Sequence, residues 1–150
     1  MMLYECGVRY EKVTDNGLSK KVTELYLVDA LSFAEAEGRI TKEMVPFMSG
    51  EFDVVTIKRT NYSEIVENGA DSADKWFKAK LMFVTLDEKT GKEKRQAVYF
   101  IVKASDINNA HSVVVEHMKT SVVDYEIATL DETKILDLFS YKVNTTSSNG

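Results

Sequence analysis

This chain of 150 residues is poor in the residue types that most readily advertise chemistry. It has one cysteine, one proline, one tryptophan and two histidines, and its seven glycines are dispersed. A lone cysteine, Cys6, cannot form an internal disulfide, which fits a reducing compartment and makes the cytoplasm the expected location. The two histidines, His111 and His117, lie six positions apart and so about 120° apart around a helix, which does not make a metal pair. There is no G-x-G-x-x-G and no P-loop, so no dinucleotide or nucleoside-triphosphate cradle is expected. No apolar run approaches the length that spans a bilayer. The opening MMLYECGVRYEKV lacks a basic start and a long apolar core, so no secretory signal is expected. Basic charge is also short: 19 Lys and Arg stand against 24 Asp and Glu, a net of −5. Residues 1–70 hold 8 basic and 12 acidic residues, leaving 11 and 12 for the remainder. Neither part carries the excess that gripping duplex DNA through many phosphates requires, although a local basic groove is compatible with that balance.

What the chain does contain is a stretch that occurs twice. Val28–Met44, VDALSFAEAEGRITKEM, returns 74 positions later as Val102–Met118, VKASDINNAHSVVVEHM. Val28 matches Val102, Ala36 matches Ala110, Ile40 matches Val114 and Met44 matches Met118. Each copy reads as a strand end, a cap and a helix with helically spaced apolar positions. Ser32 and Asp106 share the cap position, where a side-chain oxygen accepts an orphan helix N–H.

Around this pair the chain reads as strands. Tyr4–Val13 alternates, with Tyr4, Cys6, Val8 and Tyr10 on the inward side. The turn Asp15-Asn16-Gly17 leads to a second strand over 20–29. The first helix is expected from Ser32 to about Met48, kinked or ended by Pro46 in its last turns, with Ser49-Gly50 as its stop. A third strand is expected over 51–59, then a short strand or helical turn over 62–67. After a polar linker over 67–75 the pattern restarts: Trp76–Phe83 matches Leu3–Tyr10 at an offset of 73, and 95–102 returns as the next strand. Tyr125–Leu130 then matches Phe52–Ile57. The final 144–150, NTTSSNG, is expected to be a disordered tail. The predicted fold class is α+β: one domain of two tandem β-β-α-β repeats, about 3–66 and 76–141. A pseudo-twofold would relate them, and their antiparallel sheet would carry the helices on one face and leave the other available. The expected core includes Tyr26, Phe33, Ile40, Phe52, Phe83, Phe100, Ile107, Val114 and Tyr125.

The segments YECGVRYEKV, KKVTELYLVDALSFAEAE, PFMSGEFDVVTIKR, DKWFKAKLMFVTLDEKTG and VDYEIA resemble an uncharacterised bacterial family, domain of unknown function 4494, of gut Bacteroidetes and their phages. The resemblance covers nearly all of the chain, from Tyr4 to about Tyr141. It implies a bacterial or phage, cytoplasmic setting, and brings no activity, cofactor or catalytic residue with it.

Candidate chemistry is sparse. His111 and His117 match Glu37 and Glu43 of the first half, which places both on a solvated helix side. Cys6 alternates with Tyr4 and Val8 and matches Ala79, so it reads as a small core residue with no aligned base. Asp53 and Glu126 share a repeat position, where solvated carboxylates are commoner than an acid–base pair. No catalytic residue, cofactor or metal site is expected.

The outer face of the first strand of each half is more suggestive. Trp76, Lys78 and Lys80 alternate away from the core in one half, and Arg9 in the other. Lys21, and Lys94 with Arg95, begin the returning strands; Lys58-Arg59 ends the third strand close to Tyr62. Aromatic and cationic side chains on an open sheet suit single-stranded nucleic acid, because bases stack and phosphates pair with Lys or Arg. The same residues also fit a plainer role, with Trp76 packed between the halves and the lysines solvated. Two expectations follow: a non-enzymatic single-stranded nucleic-acid binder, most readily of DNA, or a protein-interaction or assembly module. The latter would use sheet edges to hold a protein partner or a second copy. No membrane contact is expected.

Overall fold

The computed structural model describes residues 1–141, and the expected tail at 144–150 lies outside them. Eight strands and two helices run in the order β1 (Leu3–Val13), β2 (Ser19–Asp29), α1 (Phe33–Met44), β3 (Phe52–Arg59), β4 (Tyr62–Val66), β5 (Lys75–Leu86), β6 (Glu93–Ala104), α2 (Ile107–Met118), β7 (Asp124–Glu132) and β8 (Ile135–Phe139). The fold is α+β. The strands form two separate four-stranded sheets, ordered β3-β1-β2-β8 and β4-β6-β5-β7. The chain divides accordingly into two compact units, Met1–Asn61 with the chain from Lys134, and Tyr62–Thr133.

In the first unit β1 and β2 form a long hairpin, Leu3 opposite Asp29 and Val13 opposite Ser19. β3 joins β1 antiparallel, with a register shift between Gly7 and Val8. β8 joins β2 parallel, Tyr26 beside Asp137 and Val28 beside Phe139. Helix α1 covers one sheet face. Ser32 caps it by accepting the Glu35 N–H at 3.1 Å, while Glu35 reaches back to the Leu31 N–H at 2.7 Å. Pro46 does not kink the α-helix: it sits in a 3-10 turn, Val45–Phe47, after α1 has ended. The core joins Tyr4, Cys6, Val8, Tyr26 and Val28 of the sheet to Ala36, Ile40 and Met44 of the helix.

The second unit repeats these relations at offsets of 73 or 74. β5 and β6 form the hairpin, β7 joins β5 antiparallel, and β4 joins β6 parallel. The β5–β7 register shifts between Lys80 and Leu81, the positions matching Gly7 and Val8. Asp106 caps α2 by accepting the Asn109 N–H at 2.7 Å. The core joins Phe77, Ala79, Leu81, Phe100 and Val102 to Ala110, Val114 and Met118.

Of the two alternatives for 62–67, short strand or helical turn, the strand is the one formed, as β4. Other expectations need correction, and no strand is expected where β8 lies. These two short strands add a parallel edge to each otherwise antiparallel sheet, and each pairs in the unit that does not hold the strand preceding it in the chain. Local pattern cannot reveal such a pairing. Phe33 and Ile107 are half-exposed, at 50% and 45%, because they occupy the first helical position, at the margin of the stripe. Phe33 still meets Tyr4 edge-on, with ring centroids 5.1 Å apart. Phe52, Phe83 and Tyr125 are half-buried at the core rim, and Tyr26, Ile40, Phe100 and Val114 are buried. The face away from the helix is not uniformly open either, since Leu3 and Leu27 in one unit and Trp76 and Ile101 in the other are buried on it.

Candidate binding site

The ten residues expected to contact nucleic acid divide between the units. Arg9, Lys21, Lys58 and Arg59 belong to the first; Tyr62, Trp76, Lys78, Lys80, Lys94 and Arg95 belong to the second. In the first unit the β1 register places Arg9 opposite Asp53, Lys21 opposite Glu11 and Lys58 opposite Glu5, all on the face away from α1. Arg59 pairs with Tyr4 and alternates to the other face. Arg9, Lys12 and Lys21 line a groove of about 630 Å³, but Glu11, Glu51 and Asp53 line it too. Three cations against three carboxylates leave no net positive field for a phosphate chain.

In the second unit the register does gather Tyr62, Trp76, Lys78, Lys80 and Arg95 on the face away from α2. Their side chains are largely occupied with one another. Trp76 is only 4% exposed, and the Lys103 ammonium sits 5.6 Å from its ring. The Lys78 ammonium lies 5.0 Å from the Tyr99 ring and 6.0 Å from Tyr62. Such cation–π contacts use the faces a stacked base would need. Lys80 is half-buried. Arg95 is ion-paired with Glu126 and with Glu93, and the paired carboxylates push its guanidinium pKa up, Glu126 above all. Lys94 is exposed and pairs with Thr85 on the other parity.

A different site emerges at the end of the first unit's core. Glu24 alternates inward with Val22, Tyr26 and Val28, an unusual place for an acid. Its carboxylate is held from both sides: Tyr10 donates to one oxygen at 3.0 Å and Tyr26 to the other at 3.1 Å. Burial, and next to it the charge and hydrogen bonding of Glu24, push both phenol pKa values up, so the two hydroxyls remain donors through neutral pH. Tyr26 stacks on Phe139, centroids 6.0 Å apart at 25°. Met44, Phe47 and Met48 form another wall, and Leu136 and Asp137 of β8 complete a pocket of about 290 Å³.

The second unit has no equivalent network. Its matching residues are Phe83, Val98 and Phe100, and its matching mouth is filled. His117 stands edge-on to Phe100, centroids 5.6 Å apart at 84°, with its Nε2 2.9 Å from Glu64 Oε1. In the first unit those two positions are Glu43 and Asp137, two carboxylates that cannot pair with each other. Sequence reasoning placed Tyr10 and Tyr26 in the core and passed over Glu24. The signal was there, in an acid at an inward strand position whose counterpart is Val98.

The remaining candidates are quiet. Burial, and to a lesser degree the charge of Glu5, raises the Cys6 thiol to about 11, so it is protonated at neutral pH. Asp53 lines the mixed-charge groove and Glu126 holds Arg95. Among the described residues no group of three or more His, Cys, Asp or Glu could hold a metal ion. No described helix is long and apolar enough to cross a membrane.

A family model described as domain of unknown function (DUF4494) matches residues 2–141, and the chain belongs to that family. No curated protein and no solved structure matches it.

Proposed function

We propose that this member of the family is a non-enzymatic interaction module that seats a side chain of a protein partner in the pocket of its first unit. The observation that carries this reading is the contrast between two matched places. In the first unit the pocket is open and lined at its mouth by two exposed apolar side chains, Phe47 and Leu136 at 74% and 51%. In the second unit the corresponding residues are Ser121 and Ser63, and His117 covers Phe100. Exposing apolar side chains at a pocket mouth gains nothing for the isolated fold, whereas a partner would bury them. The volume is at the lower edge of small-molecule pockets, roughly 300–1,000 Å³, and suits one side chain better than a cofactor. Peptide-display selection on the whole protein tests the reading. Enriched peptides should bind the wild type and lose binding to Phe47→Glu; a selection that enriches nothing removes the proposal.

A second reading, single-stranded nucleic-acid binding, draws support from the two hairpin arms. Residues 9–21 carry four basic and two acidic residues and 84–95 carry four and three. Together the arms are +3, which leaves −8 for the rest of a chain whose net charge is −5. Contact would then run through exposed arm cations such as Lys12, Lys20, Lys89 and Lys92, with Trp76 as a structural residue. Titration with a fluorescent single-stranded oligonucleotide at two salt concentrations decides it. Each lost phosphate contact should flatten the log–log salt slope by about 0.7, and no binding at low salt eliminates it.

The agreement of caps, register shifts and parallel edges at constant offsets supports a duplication as well. We read each half as one β-β-α-β-β copy whose last strand is exchanged with the other; the pseudo-twofold expected of such a pair belongs to the same proposal. The cytoplasm is the proposed setting, since the one cysteine is a free, buried thiol.

A further inference from the structure

The pocket of the first unit has a charge as well as a shape, and that charge selects its occupant. Its walls include the aromatic rings of Tyr10, Tyr26, Phe47 and Phe139, and among the described residues its ionisable groups besides the two phenols are Glu24 and Asp137. Among the described residues no lysine, arginine or histidine lines it. Both Glu24 oxygens already accept a phenol hydrogen bond, which fixes the carboxylate in place without neutralising it. A carboxylate has about four acceptor sites, so roughly two remain for a ligand. Aromatic faces attract a cation through their quadrupoles, and more strongly where water is partly excluded. We infer that the side chain this pocket takes is cationic, the ammonium of a lysine or the guanidinium of an arginine presented by a partner protein, with Glu24 and Asp137 receiving the charge and the rings enclosing the stem.

Other occupants fit less well. A carboxylate or phosphate would be repelled by both acids, and a purely apolar side chain would leave Glu24 desolvated with no new partner. A basic side chain satisfies both demands at once, since its aliphatic stem packs on Met44 and Met48 while its head pairs. The second unit offers a comparison within the same chain. There the matching aromatic, Phe100, is covered by His117, the side chain that also pairs with Glu64 of β4. In the first unit Asp137 of β8 stands where Glu64 does, and a cation from another molecule would take the place of that histidine.

This inference rests on the first unit's pocket being an interaction site, and its test separates the two claims. The whole protein is titrated with three blocked amino acids, acetyl-lysine amide, acetyl-arginine amide and acetyl-norleucine amide, and the tyrosine and phenylalanine ring resonances are followed by NMR. The cationic probes should shift Tyr10, Tyr26 and Phe139 saturably. They should bind about tenfold more tightly than norleucine amide, a difference of about 1.4 kcal/mol. Asp137→Asn, at an exposed position, should weaken them several-fold and leave norleucine unchanged. Glu24→Gln, which preserves the shape and can still accept one phenol hydrogen bond, should do the same, and its circular dichroism checks that the fold persists. Norleucine binding as tightly as lysine would overturn the inference and leave the interaction module standing. No shift with any probe would also overturn it, and with no peptide enriched by display the module reading fails too.

Discussion

His117 and Glu64 meet across a helix and a short edge strand, 2.9 Å from Nε2 to Oε1, with the imidazole standing edge-on to buried Phe100. Both partners are partly exposed, so the pair itself adds little; exposed pairs are worth about 0–1 kcal/mol. The aromatic contact adds about 0.5–1.5 kcal/mol on the scale of such edge-to-face packing. His117→Ala should therefore lower stability by about 1 kcal/mol in urea unfolding, and Phe47→Ala, at the open mouth of the first unit, by less than about 0.5 kcal/mol. A large loss at Phe47 would show that it packs the fold and is not held out for a partner.

Thr60 and Thr133 repeat one device 73 positions apart. The Thr60 N–H and hydroxyl both donate to the Leu3 carbonyl, at 3.1 and 2.7 Å. Those of Thr133 both donate to the Trp76 carbonyl, at 2.9 and 2.8 Å. Each threonine stands just before the short strand that pairs in the other unit. Replacing either by valine keeps the shape and removes one hydroxyl donor, which should cost about 0.5–1.5 kcal/mol. Equal losses at the two sites are expected from urea unfolding; a loss at one alone would break the equivalence.

Gly7 sits where the β1–β3 register shifts, buried, with the Thr56 hydroxyl close against the place a Cβ would occupy. Its counterpart is Lys80. Gly7→Ala should destabilise by about 1–3 kcal/mol through overpacking. A shift smaller than that by thermal unfolding would mean that Thr56 can turn aside without penalty.

Cys6 supplies a pH signature. Its thiol is raised from about 9 to about 11 in the folded protein, by burial first and by Glu5 second. A raised pKa means that the folded state favours the protonated thiol. The resulting stability is fully present below about pH 9 and declines as pH rises toward 11. Cys6→Ala, which copies Ala79, should remove this part of the alkaline loss. Unfolding curves for the two proteins that stay parallel from pH 8 to pH 10.5 would refute the assignment. Thiol-reactive reagents should also label native Cys6 far more slowly than the unfolded chain.

Phe100 and Phe33 separate core from margin. Phe100 is fully buried and Phe33 half-exposed. Phe100→Ala should cost about 3–5 kcal/mol, and Phe33→Ala roughly 1 kcal/mol, the Tyr4 ring contact being its main loss.

The sequence by itself determined what depends on near neighbours. Alternation over Tyr4–Tyr10 and Trp76–Phe83 set which side of each hairpin strand faces the helix. The caps at Ser32 and Asp106 set where both helices begin. The 73- and 74-residue offsets make the two halves comparable in sequence alone. Tertiary structure decided what depends on distant partners. A five-residue strand such as β8 carries too little pattern to announce itself, and nothing local says that it lies parallel to β2 while β4 lies parallel to β6. Register placed Trp76 on the outer face, but register does not say whether a face meets solvent, and Trp76 is buried. The pocket shows the same division. Tyr10, Glu24 and Tyr26 share one inward face by alternation alone, whereas Phe47, Asp137 and Phe139 reach that place only through the turn after α1 and the strand added from the far end of the chain. A side-chain pocket is a property of surfaces brought together across the fold, and long-range pairing sets those surfaces.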